Sequence, residues 1–223
     1  SAVAIDNRNQ LWIGTRNGLR VLPSIDSFNS PEQLTTQPII IIEENLAQEL
    51  LYQQLITDIV VDGSNNKWIA TADSGVFLVS SDGQKTIYHF TIKNSPLPSN
   101  SINDIDINGL TGEVFIATSR GMVSFKGIAT EANENLNNAY IYPNPVRPDF
   151  TGTVKISGLI DRATIKITDI EGNLVYETTS EGGTIEWDTT AFGKYKVASG
   201  VYMVFISSED GLETKVKKVM IIR

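Results

Sequence analysis

The chain of 223 residues contains no cysteine and only one histidine. Without cysteine there are no disulfides, no thiolate metal ligands and no cysteine nucleophiles. His89 lies in the strand-like stretch TIYHFTI, where it shares a face with Ile87 and Thr91, and no second histidine is present to complete a zinc site or a hydrolytic triad. We therefore expect no enzyme activity, no cofactor and no metal, and an edge-strand role for His89.

Long hydrophobic runs are also lacking. The longest, PIIII at 38–42, has the length of a strand, whereas a membrane helix needs roughly 20 apolar residues. The sequence predicts a chain that does not span a membrane. It starts on a serine, without an initiator Met or a signal-peptide pattern, so we expect a processed protein or a piece of a longer one.

Positive charge is scarce in the first part of the chain. The net charge is −8, and up to residue 138 there are 8 Lys and Arg against 15 Asp and Glu, while from residue 139 the counts are 10 and 11. A surface at −7 repels a phosphate backbone, and no basic groove with interleaved aromatics is visible. Nucleic acid is therefore not expected as a partner.

One short pattern is present three times, as LWIGTRNGL, KWIATADSGV and VFIATSRGM. Each copy places an aromatic residue, Ile, a small residue and Thr before a glycine. A repeat at a fixed interval is typical of stacked copies of one structural unit. The repeat residues are Trp12, Thr15 and Gly18 in the first copy, Trp68, Thr71 and Gly75 in the second, and Phe115, Thr118 and Gly121 in the third.

The segments around each copy predict a four-stranded β-propeller blade. An alternating strand and an Asp or Asn turn precede it, a third strand follows, and fourth strands are predicted in PIIIIEE and TIYHFTI. Alternation predicts that Val3 and Ile5 face the core. Three blades are too few to close a ring, so residues 1–126 are predicted to be the end of a larger propeller, or an arc completed by another molecule; the alternative is an ordinary β-meander.

Two helical segments are predicted within insertions. ENLAQELLYQQL at 44–55 has apolar residues at helical spacing, although a loop leading into a strand is the alternative. NSPEQL at 29–34 predicts a helical turn, with Ser30 as N-cap and Pro31 at the first helical position.

The second half of the chain has a different organisation. Residues 127–138 read as a linker, and residues 139–223 contain about seven strand-like runs with turn signals every 8–12 residues. This spacing predicts an immunoglobulin-like β-sandwich, with Trp187 between its sheets. The motif YPNP at 142–145 is expected at an edge because proline cannot donate to a ladder. The chain is thus predicted to be all-β: a partial propeller followed by a sandwich.

Several polar residues are candidates for a metal, channel or surface role. DGSNN from Asp62 resembles a calcium loop, but Lys67 stands where such a loop requires glycine, and DNRNQ has Arg8 at a ligand position, so both are interpreted as turns. Asp58 and Asp104 occupy equivalent places on first strands and are expected to line the propeller channel. Surface positions are expected for Arg16, Arg20 and Arg120.

The C-terminal part resembles a known family. YPNPVRP, KITDIEGNLVYE, GVYMVFIS and KVKKVMII are similar to the C-terminal domains of type IX secretion substrates in Bacteroidetes. The resemblance implies passage through the periplasm to the outer-membrane surface or the exterior. It also implies that the marker residues contact the secretion machinery or an anionic polysaccharide; these are Tyr142, Pro143, Asn144, Pro145, Gly200, Val201, Tyr202, Lys215, Lys217 and Lys218. Alternatively, Lys215, Lys217, Lys218 and Arg223 only protect the last strand from aggregation.

The blades resemble the two-component regulator propeller family, with Phe115 in place of Trp and with Ala70 and Ala117 in place of Gly as departures. Blades joined to such a tail are similar to the propeller component of the type IX attachment complex. That resemblance implies a non-enzymatic surface protein that assists sortase-dependent anchoring of cargo by binding or presenting anionic lipopolysaccharide, with the sortase and outer-membrane shuttle proteins as partners.

Two other functions remain open at this point. The protein could be a surface cargo whose propeller binds a ligand or a protein and whose tail is a cleavable signal. It could also be the sensor part of a hybrid two-component regulator, which the secretion tail disfavours. The acidic blades suit an anionic glycan poorly, so we expect such binding on the tail or outside this chain.

Overall fold

The structure, a computed structural model, describes residues 2–31, 33–43 and 45–223. It confirms the all-β prediction, because strands arranged in antiparallel sheets form nearly all of the regular structure. The chain divides into two units, the first running through Ile128 and the second from Ala129 to Arg223. Among the described residues, no helix has the length and hydropathy needed to cross a membrane.

The first unit contains three blade-like sheets. Blade 1 has the order β1-β2-β3, blade 2 the order β6-β7-β8-β9 and blade 3 the order β10-β11-β12, and a separate hairpin joins β4 to β5. The strands are β1 Ala2–Ile5, β2 Leu11–Thr15, β3 Gly18–Leu22, β4 Ile40–Glu43, β5 Leu46–Glu49, β6 Ile56–Val61, β7 Lys67–Thr71, β8 Val76–Val79, β9 Thr86–Phe90, β10 Ile102–Asn108, β11 Glu113–Thr118 and β12 Gly121–Lys126.

The repeated threonine and glycine close the same hairpin in every blade. The Thr71 hydroxyl donates to the Gly75 carbonyl at 2.8 Å and accepts from the Ser74 amide at 3.0 Å. Thr15 and Thr118 donate to the carbonyls of Gly18 and Gly121 in the same way, each at 2.7 Å. Gly75 has a φ of +84°, and a Cβ there would lie 2.0 Å from the Phe90 carbonyl oxygen, so a side chain is excluded.

The insertions differ from the helical prediction. Residues 46–49 form strand β5, which pairs with β4, and residues 50–53 form turns, so the predicted helix over 44–55 is wrong for the described residues of that segment. A hairpin forms in place of the helix because Ile40, Ile41 and Ile42 are β-branched, favour a strand and pair with residues 46–49. Ser30 is the C-cap of a short 3-10 helix, Ile25–Asn29, rather than the N-cap of a later turn; Glu32, within that turn, and Glu44 lie outside the described residues.

Only one of the two predicted fourth strands joins its blade. TIYHFTI supplies β9, the fourth strand of blade 2, as predicted. In blade 1, PIIIIEE does not add a full strand, because β4 pairs with β5 and, among the described residues, the contact with β3 is limited to one bridge between Val21 and Gln37. The predicted inward face of β1 is also wrong: Val3 and Ile5 are 66% and 56% exposed, whereas Ala2 and Ala4 pack against the core.

A buried ion pair joins blade 1 to blade 2. Lys67 Nζ donates to Asp6 Oδ2 at 2.8 Å, to the carbonyl of Asn65 at 2.8 Å and to that of Ser81 at 2.7 Å, and both charged side chains are fully buried. Lys67 lies 4.5 Å from the centre of the Trp12 ring, whose Nε1 also donates to Asp6 Oδ2. Every donor of the ammonium group therefore has an acceptor, which a buried charge requires.

Burial and pairing act in opposite directions on the Asp6 carboxyl. Burial raises its pKa, but the hydrogen bond and charge of Lys67, with the amides of Gln10 and Arg8, outweigh that effect and hold the pKa below its ordinary value. Burial lowers the pKa of Lys67 in spite of Asp6. Because the pKa of Asp6 is lowered in the folded state, its ionised carboxylate stabilises the fold above the ordinary pKa of 3.8. This stabilisation is lost as pH falls through the pKa of the folded state.

The second unit is a sandwich of a three-stranded sheet, β13-β14-β17, and a four-stranded sheet, β16-β15-β20-β21, with a small hairpin β18-β19. Its core includes Val154, Ile165, Trp187 and Val204, so Trp187 lies in the core as predicted. The strands are β13 Tyr140–Tyr142, β14 Val154–Ser157, β15 Thr164–Thr168, β16 Leu174–Thr179, β17 Thr184–Trp187, β18 Thr190–Ala191, β19 Tyr195–Lys196, β20 Gly200–Ser207 and β21 Thr214–Ile221.

The segment predicted as a linker packs largely with the second unit. Leu136 is 1% exposed and belongs to the core of the sandwich. The Asn133 amide donates to the Leu159 carbonyl, and the hydroxyls of Thr130 and Thr184 are 2.8 Å apart. Residues 129–138 are therefore part of the folded sandwich, a role that their low apolar content concealed.

Replacing Lys67 tests the buried pair. We expect Lys67→Met to lower the free energy of unfolding by about 3–5 kcal/mol, because the Asp6 carboxylate is left buried without a cation. Arg20→Met is the matched control, since it breaks the half-exposed Arg20–Glu49 pair and should cost at most about 1 kcal/mol. Urea unfolding followed by tryptophan fluorescence measures both, and adding Asp6→Asn to Lys67→Met should restore part of the loss. Equal effects of Lys67→Met and Arg20→Met would contradict the assigned role.

Candidate partner-binding surface of the second unit

The YPNP motif closes part of the edge of the last strand. The Asn144 side chain accepts from the Met220 amide at 3.0 Å and donates to the Lys218 carbonyl at 2.8 Å, so its amide takes the place of a neighbouring strand. Val146 continues the closure, because its amide donates to the Met220 carbonyl and its carbonyl accepts from the Ile222 amide. The bonds preceding Pro143 and Pro145 are both cis.

The Gly-Val-Tyr motif lies at the same end of β21, on its other side. We call this end of the strand, with Asn144 and Val146 on one side and Gly200–Tyr202 on the other, the corner of the sandwich. Gly200, Val201 and Tyr202 begin β20 and pair with Ile221, Met220 and Val219. Tyr202 is buried, donates its hydroxyl to the Ala198 carbonyl at 3.0 Å and meets the Trp187 ring edge-on at 5.7 Å. Burial raises the pKa of the Tyr202 phenol. The structure thus brings together two markers that lie more than fifty residues apart in the sequence.

Arg223 fixes the end of this corner. From the sequence alone, it was expected only to add charge to the edge strand. Its guanidinium donates to the Thr189 hydroxyl at 2.7 Å and to the Val197 carbonyl at 3.3 Å, and its backbone amide donates to Ser199 Oγ at 2.8 Å. No signal in the linear sequence pointed to Thr189, because it lies in a loop 34 residues away.

The lysines of β21 lie mostly beyond this corner. Lys215 and Lys217 are half-buried and Lys218 is exposed. Side chains alternate between the two faces of a strand, so Lys215 and Lys217 share one face and Lys218 lies on the other. None of the ion pairs formed by the described residues includes these three side chains. They form a short positive row along an otherwise acidic chain.

The two carboxylates expected in the channel meet between blades 2 and 3. Asp58 accepts from its neighbour Ile59 at 2.8 Å and from Ile105 of blade 3 at 2.9 Å. Burial raises the pKa of Asp58; the amides of Ile105 and Ile59 oppose the rise, and the charge of Asp104 adds to it. Asp58 therefore joins blade 2 to blade 3 through the backbone amide of Ile105, with the carboxylate of Asp104 nearby.

The remaining candidate residues have local partners. Asp62 accepts from the amides of Ser64 and Asn66, each at 2.9 Å, so this turn holds its own carboxylate. No group of three or more metal-ligating side chains occurs in the part of the chain that the structure describes. His89 Nε2 lies 2.8 Å from the Ser74 carbonyl oxygen, and its ring stacks on Phe77.

The three arginines of the hairpins differ in exposure. Arg16 and Arg120 are exposed, while Arg20 is half-buried and pairs with Glu49 at 3.1 Å. The prediction of surface positions therefore fits Arg16 and Arg120 better than Arg20, whose guanidinium also donates to the Leu19 carbonyl.

Asn144 provides a test of the closed edge. We expect Asn144→Ala to lower the free energy of unfolding by about 1–2 kcal/mol, because two backbone groups of β21 lose their partner. Hydrogen exchange at the Met220 amide should accelerate in this variant. Asn144→Asp is the matched control, since it keeps an acceptor for that amide and should leave its exchange slow. Unchanged Met220 exchange in Asn144→Ala would show that Asn144 does not close the edge.

Asp104 provides a pH test. Because the folded pKa of Asp58 is raised above 3.8, protonation of Asp58 favours the folded state, and stability is lost as pH rises through the folded value. Asp104→Asn removes one cause of that rise, so it should raise the unfolding free energy at pH 7 by up to about 1 kcal/mol. The gain should vanish below pH 3.8, where Asp58 is protonated in both states.

The control for this test is Asp106→Asn, on the same strand. Asp106 is exposed and accepts from its neighbour Ile107, but it is not among the groups that shift Asp58. Unfolding curves at several pH values compare the two variants. A gain of the same size in both, or a gain that does not change with pH, would rule out the coupling between Asp58 and Asp104.

Comparison with known proteins places this corner in a known type of domain. Residues 140–222 match a family model described as a secretion system C-terminal sorting domain. Such a domain implies a secreted or cell-surface protein. A search of curated proteins found no match.

Solved structures provide a relative that spans both units. PorZ of Porphyromonas gingivalis, described as an essential bacterial surface component of the type IX secretion system, is 33% identical over 100% of this chain, with a TM-score of 0.68. This chain covers 30% of PorZ.

Two further solved structures match more weakly and have low TM-scores. The extracellular domain of the putative hybrid two-component system BT4673 of B. thetaiotaomicron is 13% identical, with a TM-score of 0.37, over 99% of this chain and 31% of that one. Dimeric latent PorU of P. gingivalis is 18% identical, with a TM-score of 0.30, over 49% of this chain and 12% of that one. The sorting-domain match and the identity to PorZ together support a protein associated with the type IX secretion system.

Proposed function

We propose that this chain belongs to a non-enzymatic surface component of the type IX secretion system, which assists sortase-dependent anchoring of cargo by binding or presenting anionic lipopolysaccharide. The observation that carries the proposal is the 33% identity to PorZ over the whole chain, blades and sandwich together. A cargo protein that shared only the sorting tail would be expected to resemble PorZ over the second unit alone.

The proposed partners are the sortase and the outer-membrane shuttle proteins, and the proposed location is the outer-membrane surface. The chemistry of the candidate surface supports a binding role. Its markers form backbone hydrogen bonds through Asn144, a buried aromatic contact through Tyr202 and a row of lysines on β21. Asn144 and Tyr202 make these contacts within the sandwich and hold its shape, so the lysine row is the part of this surface that a partner can reach.

The charge distribution favours the second unit over the blades as the part of this chain that would bind lipopolysaccharide. Up to residue 138 the 15 acidic residues exceed the 8 basic ones, whereas from residue 139 the counts of 11 and 10 nearly balance. An anionic glycan is attracted to local positive charge and is repelled by an acidic surface. The three lysines of β21 provide such a local charge.

A second candidate function is that of a secreted cargo protein, whose tail is a signal that is removed after export. The description of the matching family as a sorting domain favours it. In that case the blades are the functional part and act as a ligand- or protein-binding module.

Mass spectrometry of the native protein, isolated from intact cells of the producing bacterium, separates these functions. We expect peptides from the tail, including residues 214–223, with no added glycolipid mass, because a machinery component keeps its sorting domain as a working part. A chain that ends within residues 127–139 and carries a heterogeneous glycolipid would show a cargo protein instead. A secreted protein from the same cells, known to lose its tail, controls for intact processing.

A further inference from the structure

The outer edge of β21 is closed over only half of its length. The amides of Met220 and Ile222 and the carbonyls of Lys218 and Met220 point away from β20 and bond to Asn144 and Val146. Because backbone groups alternate along an antiparallel strand, Thr214 and Val216 also direct their amide and carbonyl outward. No described residue forms a backbone hydrogen bond to those groups.

An exposed apolar strip runs beside this open half. Phe205 of β20 and Val216 of β21 are cross-strand neighbours, 43% and 52% exposed, and Val201 and Met220 form a second pair along the same face. A strand added at the edge would place its own side chains next to Val216 and extend this strip. Cross-strand apolar pairs of this kind are a main source of sheet stability.

Three lysines determine what such a strand must carry. Lys215 and Lys217 lie on the opposite face from Val216, and Lys218 lies at the end of the open half. Side chains of an added strand would stand directly beside them, where opposite charges stabilise and like charges destabilise. A second copy of β21 would place lysine beside lysine, so the edge disfavours self-pairing.

From these observations we propose that residues 214–218 of β21 form a docking edge for an extended protein segment with acidic and apolar side chains in alternation. The acidic side chains lie beside Lys215 and Lys217, and the apolar ones lie beside Val216. The Asn144 closure ends the docking edge at Lys218 and so fixes the register of the added strand. The inference does not depend on the proposed function, because it concerns the sandwich alone.

This mode of binding differs from attraction of any polyanion to the lysines. Strand addition uses main-chain hydrogen bonds for affinity and side chains for selectivity. It therefore protects the outward amides of Thr214 and Val216 from exchange, which a glycan bound only by lysine side chains does not do. The two can be told apart residue by residue.

The experiment uses the full chain and a fluorescein-labelled synthetic peptide, Val-Glu-Val-Glu-Val-Glu. We expect saturable binding by fluorescence anisotropy and slower hydrogen exchange at the amides of Thr214 and Val216 when the peptide is present. The counterpart Val-Lys-Val-Lys-Val-Lys should bind at least about tenfold more weakly. Binding without protection of these two amides would show a purely electrostatic contact and overturn the proposal, as would absence of binding.

Variants of β21 test the contribution of the backbone hydrogen bonds and that of the lysine charges separately. Val216→Pro removes an outward amide without touching the bonds to β20 and should weaken binding about tenfold, whereas Val216→Thr keeps the amide and should bind nearly as the parent does. The combined change Lys215→Glu and Lys217→Glu should reverse the preference, so that the lysine peptide binds better. If the proline variant misfolds, as judged by faster exchange at the amides of Val219 and Ile221, which pair with β20, the charge reversal still decides. If neither Val216→Pro nor the charge reversal changes binding, the docking edge is overturned, while the mass of the native tail tests the proposed function separately.

Discussion

The first unit depends on the pairing of one buried ammonium group with one buried carboxylate. Lys67 and Asp6 belong to different blades, and each is surrounded by further hydrogen-bond partners, so neither charge is left without compensation. Because an unpaired buried charge is costly, this contact fixes how blade 1 packs on blade 2. The buried apolar residues of the same cluster, which include Trp12 and Ile69, shield the pair from water, so that each charge depends on the other for compensation. The repeated hairpins then need only supply regular strands on either side.

In the second unit the comparable constraint is the treatment of a strand edge. β21 is the last strand of its sheet, and an edge strand has backbone groups without partners. Asn144 and Val146 satisfy those groups near the C-terminal end of the strand, and Arg223 fixes the chain just after it. The markers of the sorting domain are therefore first of all structural, and they shape the remaining surface. What a partner can reach is the part of the strand that they leave open, with its lysines and its apolar face.

Much of this could be predicted from the sequence, because it depends on local patterns. Repeated glycines and threonines predicted the hairpins, since a turn with positive φ at Gly75 admits little else. Prolines at 143 and 145 predicted an edge position because proline has no amide to donate to a ladder. The helix expected over 44–55 was wrong because helical spacing of Leu46, Leu50 and Leu51 says nothing about the strand partner that β4 provides. Tertiary pairing outweighs local propensity in such short segments.

The sequence by itself determined the all-β class, the blades and the tail, since each is encoded by residues close to one another in the chain. Only the tertiary structure decided which side chains meet across long separations. Asp6 finds Lys67 across 61 residues and Asn144 finds Met220 across 76, and such partners leave no periodic trace in the sequence. In the sequence, Lys67 stands out only as a residue that does not fit a calcium loop. Its burial, which depends on the neighbouring blade, is what turns the same residue into the contact between blades.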